Sequence, residues 1–154
     1  EYDAFYKALG ELYGELADQH GRFVTFDLHT YNHRRAGPDS PLADPLGNPQ
    51  VNIGTGTMNR ERWASVVDTL IDTLRTFDFP GGKLDVRENV KSFGGNHPRW
   101  AHERFPNAAC VITVEFKKFF MDEWTGEPDE SLVEVIGDAL QFTAPAVLDA
   151  LKRG

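Results

Sequence analysis

A three-layer α/β domain, with a mostly parallel or mixed central sheet and helices on both faces, is what this sequence predicts. Three observations carry that expectation. Segments with apolar residues at helical spacing alternate along the chain with short runs rich in β-branched and aromatic residues, the pattern of layered α/β proteins. The run ACVITVEF, residues 109–116, is almost continuously apolar, as a strand covered on both faces must be. The chain has 154 residues, of which 40% are hydrophobic, enough to close one core and too few for two domains of ordinary size.

The elements follow in order. Tyr2, Phe5, Leu9, Leu12, Tyr13 and Leu16 recur at helical spacing and Gly21 follows them, so the first twenty residues form an amphipathic helix with a glycine stop. FVTFDLH, Phe23 to His29, is short and β-rich and predicts a buried strand. From Tyr31 to Gln50 four prolines and two glycines interrupt any period, which predicts a long irregular loop of the kind that covers a site. QVNIGT predicts a short strand. RERWASVVDTLIDTLRTF then places Trp63, Val66, Val67, Leu70, Ile71, Leu74 and Phe77 on one helical face, with Asn59 as N-cap. After the turn FPGG, KLDVREN predicts a short strand and HPRWAHERF a small helix with Pro98 in its first turn. The last helix runs from about Glu130 to Leu151, with Pro145 expected to kink or split it.

Charge and composition exclude several functions. The net charge is −8, the sequence pI is about 5.0, and no stretch collects Lys and Arg without nearby acids. A phosphate backbone or an anionic membrane is therefore a poor partner, and a small molecule or a protein a better one. Cys110 is the single cysteine, which excludes an internal disulfide framework and fits a reducing, cytoplasmic setting. No uninterrupted apolar run approaches ~18 residues, so no membrane span is expected.

Ligands in open α/β sheets bind beyond the carboxyl ends of strands, so polar residues there are the candidates for chemistry. Asp27 and His29 share one strand face, because side chains alternate with a period of two, and the carboxylate is placed to receive the ring's second N–H. The alternative is a histidine that is merely hydrogen-bonded at a strand end. Glu115 stands where the most apolar strand runs out, a setting that suits a general base; the competing role is an ion pair with Lys117. Arg87 and Asn89 end a third strand and offer a guanidinium fork and an amide to a substrate carboxylate and carbonyl, against the commoner role of a salt bridge from Arg87 to Asp85 or Glu88. His33 lies in the irregular loop, His97 and His102 fall on a short helix expected to be exposed, and Cys110 is expected to act as a small buried hydrophobe.

The segments DLHTYNHRR, ENVKSFGGNHPRW and VITVEFKKFFMDEWTGEP, in this order, resemble the N-formylglutamate amidohydrolase family, and the similarity extends over nearly the whole chain. D-L-H-T alone is shared with succinylglutamate desuccinylases, aspartoacylases and, more loosely, zinc carboxypeptidases. The resemblance implies a carboxypeptidase-like core and a zinc-dependent amide hydrolase. It implies His29 as a zinc ligand, Glu115 as the catalytic general base, and Asn89, Gly94 and Gly95 lining the substrate side; the strand period adds Asp27 behind His29. Arg87, Arg34 and Arg35 are the arginines available for a substrate carboxylate. The sequence departs from the family in carrying Lys117 and Lys118 where an arginine usually follows the glutamate, and lysine lacks arginine's bidentate contact.

In these families two further zinc ligands, a histidine and a glutamate, precede the segment seen here. Residues 1–154 are therefore expected to be the C-terminal portion of a single catalytic domain, binding one zinc ion with ligands upstream of residue 1. The expected reaction is hydrolysis of an N-acyl amino acid such as N-formylglutamate, with no nucleic acid or membrane partner and with room for a fused or neighbouring domain. A metallocarboxypeptidase-like peptide hydrolase and a non-catalytic binding module on the same fold are the alternatives.

Overall fold

The computed structural model describes residues 1–154. Eight regular elements occur in the order α1 (Tyr2–His20), β1 (Phe23–Tyr31), β2 (Val51–Gly54), α2 (Ala64–Thr76), β3 (Val86–Glu88), α3 (Asn96–Arg104), β4 (Ala109–Lys117) and α4 (Glu130–Arg153). The strands form one sheet in the order β1-β4-β2-β3. β1 runs parallel to β4, β4 antiparallel to β2, and β2 parallel to β3, so the sheet is mixed. β4 is internal, as its apolar sequence requires.

The two faces of β4 pack against different helices. Cys110, Ile112, Val114 and Phe116 join Val66, Val67, Leu70, Ile71 and Leu74 of α2 and Ala139, Val147, Ala150 and Leu151 of α4 in the main core. On the other face Ala109 and Val111 pack with Phe23, with Tyr13 of α1 and with Ala101 of α3 in a smaller cluster. The smaller cluster holds only the N-terminal half of β4 on that face. Thr113 and Glu115 continue the face beyond it, and the site is built there.

Several boundaries differ from the sequence expectation. Regular helix in α2 starts at Ala64 rather than at residue 60, with Trp63 at the cap position; Asn59 instead accepts the Arg62 N–H in the preceding turns, at 3.0 Å. α4 is continuous through Pro145. Pro145 and Gln141 are both exposed, so the Gln141 carbonyl that loses its helical partner meets water. Over one 18-residue window α4 reaches a mean hydropathy of 1.3, so it is long and apolar enough to cross a membrane, although no uninterrupted apolar run in the sequence is that long. Here its buried residues close the main core against α2. The 31–50 segment is irregular as expected, apart from a 3-10 turn at Pro45–Gly47.

Candidate active site

Strand register aligns one row of polar side chains across the whole sheet. His29 of β1 is opposite Glu115 of β4, Glu115 is opposite Asn52 of β2, and Asn52 is opposite Arg87 of β3. Neighbouring strands are on the order of 5 Å apart, so the imidazole and the carboxylate singled out in the sequence start from adjacent backbone positions. Asp27 lies one pleat behind His29, opposite Thr113.

Asp27 joins two histidines. Its Oδ2 receives His29 Nε2 at 3.0 Å and its Oδ1 receives His97 Nδ1 at 3.0 Å. The Asp27 side chain is 14% exposed and that of His29 is 51% exposed. Burial, the largest influence, pushes the Asp27 carboxyl up, but the hydrogen bonds and charges of His97 and His29 together outweigh it and hold the group below the usual carboxylate range. His29 thus has a half-buried carboxylate behind it and an open front. The expectation that His97 and His102 are exposed is corrected. The His97 side chain is only 19% exposed, and His102 is buried, with its Nε2 accepting the Val111 N–H at 3.1 Å. The reason is that α3 packs its Pro98, Ala101 and His102 side against the sheet.

Glu115 is half-buried. Its Oε2 accepts a hydrogen bond from Ser92 Oγ at 2.8 Å, and Lys117 turns away to donate to the Asn48 carbonyl at 3.0 Å. Ser92 is held by Asn52. The Asn52 side-chain oxygen accepts the N–H groups of Val90 and Lys91, and its amide donates to the Ser92 carbonyl. Asn52 is wholly buried, and every hydrogen bond of its side chain goes to the turn that carries Ser92. Gly54, opposite Thr113, lets that turn come close, since a Cβ there would lie 2.9 Å from the Gly94 nitrogen.

The remaining sequence candidates are engaged elsewhere. Arg87 Nε and Nη2 donate to the Asp85 carboxylate at 2.9 and 3.0 Å, and its fork also reaches the carbonyls of Leu46 and Pro45, so it ties the 31–50 loop to β3. The Asn89 side chain accepts the Thr55 N–H and donates to Thr55 Oγ1, from a backbone at φ 55°. Gly94 lies beside Thr113 and Thr57 with φ +112°. Gly95 caps α3 and is exposed. Arg34 lines a cleft of about 490 Å³ with Lys117, Lys118, Asp122 and Glu123; Arg35 and Lys91 line a neighbouring one of about 360 Å³. Cys110 is buried and burial pushes its thiol up to about 12, as a small hydrophobe behaves.

Sequence reasoning missed the roles of Asn52, Ser92 and His97. Asn52 left a trace, because an asparagine inside the apolar run VNIG must find partners once buried. Ser92 and His97 left none, since each depends on a turn closing over a strand distant in sequence.

The donor set offers one good metal ligand. An imidazole that gives one N–H to a carboxylate and keeps its second nitrogen free is the arrangement metal-binding histidines use. No three His, Cys, Asp or Glu side chains come together to hold a metal ion, so a three-ligand zinc centre is not completed within these residues.

Sheet order, helix layers and the polar row at the strand ends define a layered α/β protein with a mixed four-stranded sheet. Among solved structures, the crystal structure of N-formylglutamate amidohydrolase from Ralstonia eutropha JMP134 is similar to it, with a TM-score of 0.69 and 17% sequence identity, covering 99% of this chain and 54% of that one. The two share a fold, and this chain spans about half the length of that relative. No protein-family model matches the sequence, and no curated protein is significantly similar to it.

Proposed function

We propose that these residues form part of a zinc-dependent amidohydrolase that cleaves the acyl amide of an N-acyl amino acid, N-formylglutamate being the first substrate to test. The observation that carries this is the register pairing of His29, backed by Asp27, with Glu115, supported by Ser92, on the open end of the sheet. The shared fold of an N-formylglutamate amidohydrolase supports it. His29 would be one zinc ligand, with the others supplied from outside residues 1–154. Bound zinc would polarise the scissile carbonyl and make its water acidic enough to act near neutrality. Glu115 would take a proton from the attacking water and deliver it to the departing nitrogen, with Ser92 orienting its carboxylate. The cations Arg34, Arg35, Lys91 and Lys117, none of which has a carboxylate partner within 4.0 Å, are available to a substrate carboxylate. A small-molecule substrate in a reducing cytoplasm suits a chain of net charge −8 with one buried cysteine.

The test is turnover and metal content of Glu115→Gln and His29→Ala in the full-length protein, assayed on N-formylglutamate and a panel of N-acyl amino acids. Glu115→Gln is expected to keep zinc and lose about 10²–10⁴-fold in kcat, and His29→Ala to lose both zinc and activity. Near-native kcat in Glu115→Gln on the best substrate would make Glu115 a structural carboxylate. Hydrolysis of peptides but not of N-acyl amino acids would assign a carboxypeptidase-like activity instead.

A further inference from the structure

The Asp27–His29 pair is the end of a longer chain of hydrogen bonds that runs out of the site and into the packing of two helices. Tyr13 Oη lies 2.9 Å from His97 Nε2, His97 Nδ1 lies 3.0 Å from Asp27 Oδ1, and His29 Nε2 lies 3.0 Å from Asp27 Oδ2. Tyr13 is 2% exposed and is wedged among the rings of Phe23, Trp100 and Phe105. The chain therefore starts from a fixed point.

We propose that His97, backed by Tyr13, is a positioning residue that locks the Asp27 carboxylate and, through it, the tautomer and ring orientation of His29. This rests on the reading of His29 as the site's imidazole. A carboxylate can only accept, so each histidine must present an N–H to Asp27. His97 then carries its proton on Nδ1, its Nε2 becomes an acceptor, and the Tyr13 hydroxyl donates to it. His29 in turn carries its proton on Nε2, which leaves Nδ1 as a free lone pair for an electrophile or a metal. Both oxygens of Asp27 are needed for this, one for each ring. With His97 removed, Oδ1 has no donor, the carboxylate is free to turn, and His29, whose side chain is 51% exposed, is held only by a group that itself moves. The remaining contact, from Thr113 Oγ1 to Oδ2, is long at 3.5 Å and falls on the oxygen that already serves His29.

The experiment uses the full-length protein with His97→Asn, His97→Gln, His97→Ala, Tyr13→Phe and His29→Ala. Asparagine places its amide nitrogen where histidine has Nδ1, whereas glutamine carries its amide one methylene too far. Long-range proton–nitrogen NMR of the metal-free protein reads the His29 tautomer, and competition with a chelator reads zinc affinity. Wild type and His97→Asn should show a single Nε2-protonated His29 and similar zinc affinity. His97→Gln and His97→Ala should show mixed tautomers and bind zinc about 10–100-fold more weakly, the range for partners that orient a metal ligand. Tyr13→Phe should keep His97 protonated on Nδ1, because Asp27 still requires that N–H, and should weaken zinc binding less than His97→Ala. A single His29 tautomer with undiminished zinc affinity in His97→Gln and His97→Ala overturns the proposal, and so does a mixed His29 in His97→Asn. If His29→Ala binds zinc as the wild type does, the metal reading fails while the tautomer measurement still decides the role of His97.

Discussion

His102 shows how a residue's position in the fold decides its chemistry. Only 8% exposed, it accepts the Val111 N–H on Nε2 and meets Thr57 Oγ1 with Nδ1 at 3.1 Å, so it stands neutral between α3 and β4. Burial, the chief cause, pushes its pKa below the ordinary value. In the unfolded chain a histidine takes up its proton near pH 6.5, while the folded one resists it. The neutral folded form is therefore fully stable above about pH 6.5 and loses stability as pH falls from there towards the lower folded value. His102→Gln can still accept from Val111 and cannot charge. At pH 8 it should cost about 1 kcal/mol, the worth of an imperfect hydrogen bond. Between pH 8 and pH 5 it should lose less stability than the wild type in urea unfolding. Parallel losses in the two proteins would remove His102 as the source.

At the scale of elements, the site depends on how closely the turn before α3 approaches the end of β2. Gly54 sits where a Cβ would lie 2.9 Å from the Gly94 nitrogen and 3.1 Å from the Phe93 carbonyl carbon, both backbone atoms that cannot swing aside. Gly54→Ala should destabilise the protein by about 1–3 kcal/mol, as overpacking does. It should also lift the turn that brings Ser92 to Glu115, which hydrogen exchange at the Gly56 N–H, bonded to the Phe93 carbonyl at 2.7 Å, would report as faster exchange. Gly14→Ala in α1 is the control: nothing lies within 4 Å of its added Cβ, so it should stabilise by about 0.5–1 kcal/mol through helix propensity. A Gly54→Ala protein as stable as the wild type, with unchanged exchange at Gly56, would show that the turn is not held by this close approach.

The chain as a whole spans about half the length of the solved relative, and no three potential metal ligands converge in it. A protein made of residues 1–154 should therefore release zinc on dialysis, and elemental analysis should find far less than one ion per chain. One tightly held zinc would mean that the side chains rearrange into a site of their own. The acidic surface carries a local exception, since Arg34, Arg35, Lys91, Lys117 and Lys118 gather about two adjoining clefts at one end of the sheet. Under the proposed function that positive charge, partly offset by Asp122 and Glu123 in the same cleft, would raise the local concentration of an anionic substrate.

What could be read from the sequence was whatever repeats over a few residues. Helical spacing located α1 and the body of α2, continuous apolarity marked β4 as internal, and the period of two put Asp27 and His29 on one face. The likeness of three short segments to N-formylglutamate amidohydrolases pointed to the fold that the solved structure shares. The register that sets His29 against Glu115, the antiparallel β2 that brings Asn52 beside it, and the burial of His97 and His102 came only with the tertiary structure. These relations join residues as far apart as the 86 positions between His29 and Glu115. Local propensity does not encode such separations; they are set when helices and strands from distant segments bury their apolar faces together, and the polar groups caught between them must then find one another.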